Sequence, residues 1–154
     1  MDVASFAEIQ EEFINRVRRI VWCTVATVDR KDRLRSRILH PLWEGSTGWI
    51  ATSRHSLKEK HLAHNPYVSL SYWDPQHQQI YADCKAEWEE GSAEKRRLWE
   101  LFKTTTPPLG YDLGLFWKGP EDPNYGLLKL TPWRIELSSL NDLLAGLPPQ
   151  VWRP

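Results

Sequence analysis

Apolar residues return at Ile9, Phe13, Val17 and Ile20, close to the period of a helix. Ser5 with Glu8 three places later has capping-box spacing, so a helix is predicted from about Phe6 to Arg19. The period then changes. Val21 to Val28 is β-branched and apolar on both faces, as in a strand covered on both sides. A polar turn, Asp29–Asp32, leads to a second strand, Leu34–His40, which Pro41 ends. After the Glu44–Gly45–Ser46 turn, Trp49–Thr52 reads as a third strand, and the three are expected to form an antiparallel meander.

Ser56 and Glu59 repeat the capping-box spacing, and the helix from about Leu57 to Ala63 stops before Asn65–Pro66. Val68–Trp73 and Gln79–Trp88 read as strands joined by Asp74–Pro75–Gln76–His77. A third helix is predicted from about Ala93 to Lys103, ended by Pro107–Pro108. The stretch from Pro107 to Tyr125 has no usable period, and loops of that length are often functional. Gly126–Leu137 reads as a strand in which Pro132 marks an edge or a bulge. About six short strands with about three helices predict a mainly β, α+β barrel or sandwich, one domain over residues 1–154.

Charge narrows the function. The 154 residues carry 20 Lys plus Arg against 20 Asp plus Glu, which argues against a dedicated nucleic-acid binder but leaves room for a local basic pocket. No apolar run approaches the roughly 18–20 residues of a membrane span. The acidic start lacks the apolar block of a signal peptide, and two cysteines make no disulfide framework. A cytoplasmic protein is expected. Nine Trp are unusual, and such aromatic wealth signals a large core, an interface or a planar ligand.

Two basic elements stand out. In Thr52–Ser53–Arg54–His55–Ser56–Leu57–Lys58 a strand runs into a helix start, whose free N–H groups bind anions. A lysine in the first helical turn is disfavoured by the helix dipole, and a phosphate would give it a partner. On the second strand, Arg35 and Arg37 share a face and repel each other unless an anion lies between them; guanidinium suits phosphate. An ordinary capped helix and a solvated strand face are the plain alternatives. Planar rings such as Trp43, Trp49, Trp73, Trp117 and Trp133 suit a planar ligand, or simply fill core and interface. His61 and His64 have helical metal-ligand spacing, with no further ligands to complete a site.

The order CTVATVD, RSRILHPLW, GWIATSRHSLKEKHLAHNPYVSLSYWDP and IYADCKAEW resembles the pyridoxamine 5′-phosphate oxidase-like family of FMN-binding split barrels, from about Val21 to Glu87 and more loosely to Arg134. The resemblance implies a six-stranded antiparallel split barrel of Greek-key connectivity, and a homodimer with two equivalent flavin sites at the subunit interface. It implies a phosphate among Arg37, Ser56 and Lys58, with Arg35 close by. The flavin ring would meet backbone at Ser36, Ile38 and Leu39 and at Ala51, Thr52 and Ser53. Trp73, Gln79 and Trp117 would complete the pocket from the partner subunit. The Arg-rich substrate motif of the true oxidases is only faintly matched by Trp133–Arg134 and Val151–Pro154. A general FMN-dependent oxidoreductase is therefore expected, using a nicotinamide or other electron donor on a small molecule, with no catalytic side chain assigned. The alternatives are a reductase using a 5-deazaflavin, whose phosphodiester and acidic tail further basic residues such as Arg54 would favour, and a non-enzymatic flavin or tetrapyrrole binder.

Overall fold

The computed structural model describes residues 1–154. The capping box at Ser5 forms, with the Ser5 N–H donating to Glu8 Oε1 at 2.9 Å. It opens a single 3-10 turn, Phe6–Glu8, after which α1 runs from Gln10 to Ile20. The strands that follow are β2 (Cys23–Val28) and β3 (Leu34–Leu39), preceded by a short β1 (Asp2–Val3). Next come β4 (Leu42–Glu44), β5 (Thr47–Ser53), α2 (Leu57–His64), β6 (Tyr67–Trp73) and β7 (Gln78–Trp88). The chain continues through α3 (Ser92–Thr104), a 3-10 turn at Leu113–Leu115, β8 (Tyr125–Ser139), α4 (Leu140–Leu144) and β9 (Gln150–Trp152). Six longer strands carry the sheet, as expected, and β1, β4 and β9 are short additions.

The strand order is β1–β9–β8–β7–β6–β2–β3, with β5 on the other flank of β8. All pairings are antiparallel except β1 with β9. The sheet is a split barrel rather than a closed one. The expected meander breaks after β3. Pro41 stops that strand, and β5 pairs with β8 from Gly48 opposite Leu130 to Ser53 opposite Tyr125. The physical reason is the apolar edge that β8 offers. Leu127, Leu128 and Leu130 are buried there and close over Trp49 and Ile50, whereas β3 presents mostly exposed side chains. The fit is close at Gly126, where a Cβ would come within 2.5 Å of the Trp88 ring and 2.8 Å of the Thr52 carbonyl oxygen.

Pro132 sits at an irregularity, as its chemistry suggested. The ladder runs Asp83 with Arg134 and Cys84 with Pro132, which leaves Trp133 as the extra residue of a bulge. β2 alternates, with Cys23, Val25 and Thr27 inward and the intervening residues half-buried, so it is not covered equally on both faces.

Two apolar clusters hold the fold. Ile9 at the N-cap of α1 and Phe13 and Val17 within it plug the barrel interior against Leu70, Ile80 and Leu130. Leu98, Trp99 and Phe102 of α3 pack with Leu42, Trp49 and Tyr125. Much of the tryptophan excess is structural. Trp43 donates to the Tyr72 hydroxyl at 3.0 Å and Trp49 to Glu44 at 2.9 Å. Trp22, Trp73 and Trp133 stay about half exposed. Cys23 and Cys84 are buried free thiols. No helix is long and apolar enough to cross a membrane.

Candidate functional site

Strand β5 delivers the chain to α2 through Arg54, whose N–H bonds the Asn124 carbonyl at 2.9 Å. Ser56 is the extended N-cap residue of α2. Its expected capping box does not form. Glu59 is drawn instead to Arg54, at 2.7 Å. The Ser56 hydroxyl is left buried with no hydrogen-bond partner. An unpaired buried hydroxyl costs about 1–3 kcal/mol, so this one awaits a partner. The first turn of α2 adds free backbone N–H groups and the positive end of its dipole.

Cations surround this point. Arg37 is half-buried on β3; its Nη1 donates to Thr27 Oγ1 at 2.8 Å. Thr27 Oγ1 in turn lies 2.9 Å from Nδ1 of the buried His61. Burial, then the charge of Arg37, holds His61 below the usual histidine range. Burial also lowers Lys58, with the Arg37 charge next in effect. Arg37 itself is lowered by burial and then by Arg35. The charges acting on Arg37 and Lys58 are thus other cations, with no carboxylate among them. Like charges beside an orphaned hydroxyl are the kind of surroundings in which an anion is favourable. Arg54 is not free to join it, being tied to Glu59 and Glu90 and stacked 4.6 Å from the Trp88 ring centroid.

Beyond Arg37 the barrel is open. β3 pairs only with β2, and β5 pairs with β4 and β8, so their facing edges share no ladder. A cleft of about 390 Å³ opens there. Ile38, Leu39 and His40 line one side, Ile50 and Ala51 the other, with Tyr111 and Phe116 of the long loop above. Its walls are mainly apolar, and Ile38 and Phe116 are 62% and 68% exposed. His40 is wedged edge-on between the Trp22 and Tyr111 rings, at 4.4 and 4.9 Å. Its Nε2 is buried without a partner, and burial lowers its pKa.

The structure brings most of the sequence-predicted residues together. The Arg37 charge acts on Lys58 and the Arg35 charge on Arg37, and Ser56 stands at the N-cap position of the helix that carries Lys58. Ile38, Leu39 and Ala51 line the cleft. Ser36 and Ser53 are exposed, and Thr52 is buried opposite Gly126. Trp73, Gln79 and Trp117 lie apart within this chain. Trp73 and Gln79 face each other at the β6–β7 tip. Trp73 donates to His77, and Gln79 accepts from the Tyr81 and Ser138 hydroxyls. Trp117 packs on Phe116 and Tyr125.

Sequence reasoning missed Thr27, His40, Trp22, Tyr111 and Phe116. His61 turns inward to Thr27, and His64 outward to Asp32 at 2.8 Å. Strand alternation already put Thr27 on the inner face with Cys23 and Val25. Tyr111 and Phe116 were marked only as members of the long Pro107–Tyr125 loop.

The sequence model of pyridoxamine 5′-phosphate oxidase matches residues 9–139. The chain belongs to that family. Family membership makes it a member of a group of flavin-associated enzymes. No curated protein matches it. Solved structures share the fold. A protein related to general stress protein 26, from Clostridium acetobutylicum, is 16% identical over 95% of this chain and 94% of its own, with a TM-score of 0.73. A pyridoxamine 5′-phosphate oxidase homologue from Listeria innocua is 18% identical over 84% and 97%, at 0.68. A pyridoxamine 5′-phosphate oxidase-related, FMN-binding protein from Nostoc punctiforme is 18% identical over 90% and 86%, at 0.64. The split barrel of the pyridoxamine 5′-phosphate oxidase family therefore extends across this chain, with the cleft between β3 and β5 as its opening.

Proposed function

We propose that this chain is an FMN-binding oxidoreductase that works as a homodimer on a small molecule. The observation that carries the reading is the buried, unpartnered Ser56 hydroxyl at the start of α2, with Lys58 in the first turn of that helix and the charge of Arg37 acting on Lys58. Those residues fit a phosphate: Ser56 donates a hydrogen bond, and Lys58 and Arg37 supply charge, with Arg35 beside them. The printed description of the Nostoc relative as FMN-binding is consistent with this.

Bound FMN would supply the hydride and electron chemistry. The chain's own part is to bind and to shield. The unpaired edges of β3 and β5 offer main-chain donors and acceptors at Ser36–Leu39 and Ala51–Ser53 to a planar heterocycle. Trp22, Ile38 and Phe116 form an apolar wall that keeps water out. No side chain is assigned as acid or base. The exposed apolar residues around the cleft support a second copy of the chain as its cover. On this reading Trp73, Gln79 and Trp117 reach the site from that copy. A nicotinamide is the proposed electron donor, and two buried free thiols suit a reducing cytoplasmic setting.

The test is to record the absorption spectrum of the purified protein, identify any released chromophore by mass, and titrate with FMN and riboflavin. FMN binding, with riboflavin at least roughly tenfold weaker for lack of a phosphate, supports the reading. A colourless protein that binds neither rejects it. A bound flavin that no nicotinamide reduces points to a carrier instead of an enzyme.

A further inference from the structure

His40 lines the cleft between β3 and β5, and the flavin reading gives it no part. It stands just past the end of β3, before Pro41, which has no N–H to offer. Trp22 and Tyr111 hold its ring edge-on from two sides, at 4.4 and 4.9 Å. Those rings fix the imidazole in place, and neither gives its Nε2 a hydrogen bond. The nitrogen is sealed from water without a partner, a standing cost to the fold unless a ligand meets it.

The rest of the lining is uncharged. Aliphatic side chains of β3 and β5 face the rings of Trp22, Tyr111 and Phe116, and no Lys, Arg, Asp or Glu stands among them. Burial lowers His40, so its imidazole is neutral at pH 7. Burial also pushes the Tyr111 hydroxyl up to about 12. An ionised group entering the cleft would lose its hydration and meet no counter-charge from these walls. A flat apolar ring suits them. A neutral imidazole carries one N–H and one bare nitrogen. Through its two tautomers, Nε2 can donate to a ring carbonyl or accept from a ring hydroxyl.

We propose that His40 is the specificity-determining contact of the cleft, its Nε2 hydrogen-bonding the carbonyl or hydroxyl oxygen at the edge of a flat, uncharged ring substrate. The proposal rests on the FMN reading and names the substrate class of that same site. The aromatic walls hold the ring, and His40 reads its oxygen. A ring that lacks the oxygen leaves Nε2 unpaired and is discriminated against for that reason.

The experiment loads the wild type, His40→Phe and His40→Gln with FMN and measures the binding of neutral probes by equilibrium dialysis. Naphthalene is the bare ring, 2-naphthol carries a hydroxyl, and chromone carries a carbonyl. Phenylalanine keeps a ring between Trp22 and Tyr111 and removes the nitrogen, whereas glutamine keeps a hydrogen-bonding group at similar reach. We expect an oxygen-bearing probe to bind the wild type and to weaken at least roughly fivefold in His40→Phe. Naphthalene binding stays within about twofold in that variant, His40→Gln recovers most of the loss, and FMN affinity stays within about twofold in both variants. The probe that responds tells a hydroxyl from a carbonyl. Equal weakening of all the probes in His40→Phe, no weakening of either oxygen-bearing probe, or tighter binding of pyridoxamine 5′-phosphate than of both overturns the proposal. If the wild type fails to take FMN, the functional reading fails, and the same dialysis on the flavin-free chain tests His40 by itself. A loss confined to the oxygen-bearing probes in His40→Phe then sustains the contact, and its absence rejects it.

Discussion

Arg37 on β3 donates to the Thr27 hydroxyl on the neighbouring strand at 2.8 Å. That bond reaches across the β2–β3 ladder to His61 on α2, so strand and helix hold one cation between them. Arg37→Ala and Lys58→Ala each remove a charge-assisted bond to the proposed phosphate, worth about 1.5–3 kcal/mol. We expect FMN affinity to fall by roughly 10- to 150-fold while the circular dichroism spectrum is unchanged. Unaltered affinity in both variants removes the phosphate assignment.

Ser56→Ala separates a cap from a ligand group. The Ser56 side chain makes no capping bond and its oxygen is buried without a partner. The cofactor-free variant should be as stable as the wild type, or more stable by about 1 kcal/mol, with weaker FMN binding. A cofactor-free protein that instead loses stability in urea would falsify the claim that the hydroxyl is idle without a ligand.

Acid should weaken the fold before any carboxylate titrates. His61 and His40 are both held below the ordinary value of 6.5. As pH falls, the unfolded chain binds these protons first. Their stabilisation is therefore complete above about pH 6.5 and declines as pH drops below it toward the folded values. The urea midpoint should fall between pH 7.5 and pH 5.5. His61→Asn, which does not titrate, should flatten that fall.

Gly126→Ala should be costly. The added Cβ meets the Trp88 ring and the Thr52 carbonyl, and overpacking of that kind costs about 1–3 kcal/mol. A lower urea midpoint with an unchanged slope is the expected readout.

Phe116→Glu tests the cover of the cleft. Phe116 is exposed beside Ile38. We expect the wild type to sediment as a dimer and the variant as a monomer. A wild type that is monomeric at all concentrations counts against the shared site.

The parts of the site that a reader of the sequence could find are those set by local rules. Alternation put Arg35 and Arg37 on one face, and the strand-to-helix switch marked Ser56 and Lys58. Pro132 announced its bulge through its missing donor. The parts that stayed hidden depend on residues far apart in sequence. β5 chose β8 over β3 because of leucines far downstream. The capping box failed at Ser56 because Arg54 competed for Glu59. His61 joined the basic cluster only once α2 had packed on β2. Tyr111 and Phe116 reached the cleft along a loop that has no period to read.

The free edge of β3 has a cost for the ligand-free chain. An unpaired strand edge invites pairing with the edges of other molecules, and charged side chains are the usual deterrent. β3 carries Arg35 and Arg37 along that edge. The same two arginines that await an anion also guard against aggregation, so neutralising both at once would endanger the solubility of the chain as well as its cofactor.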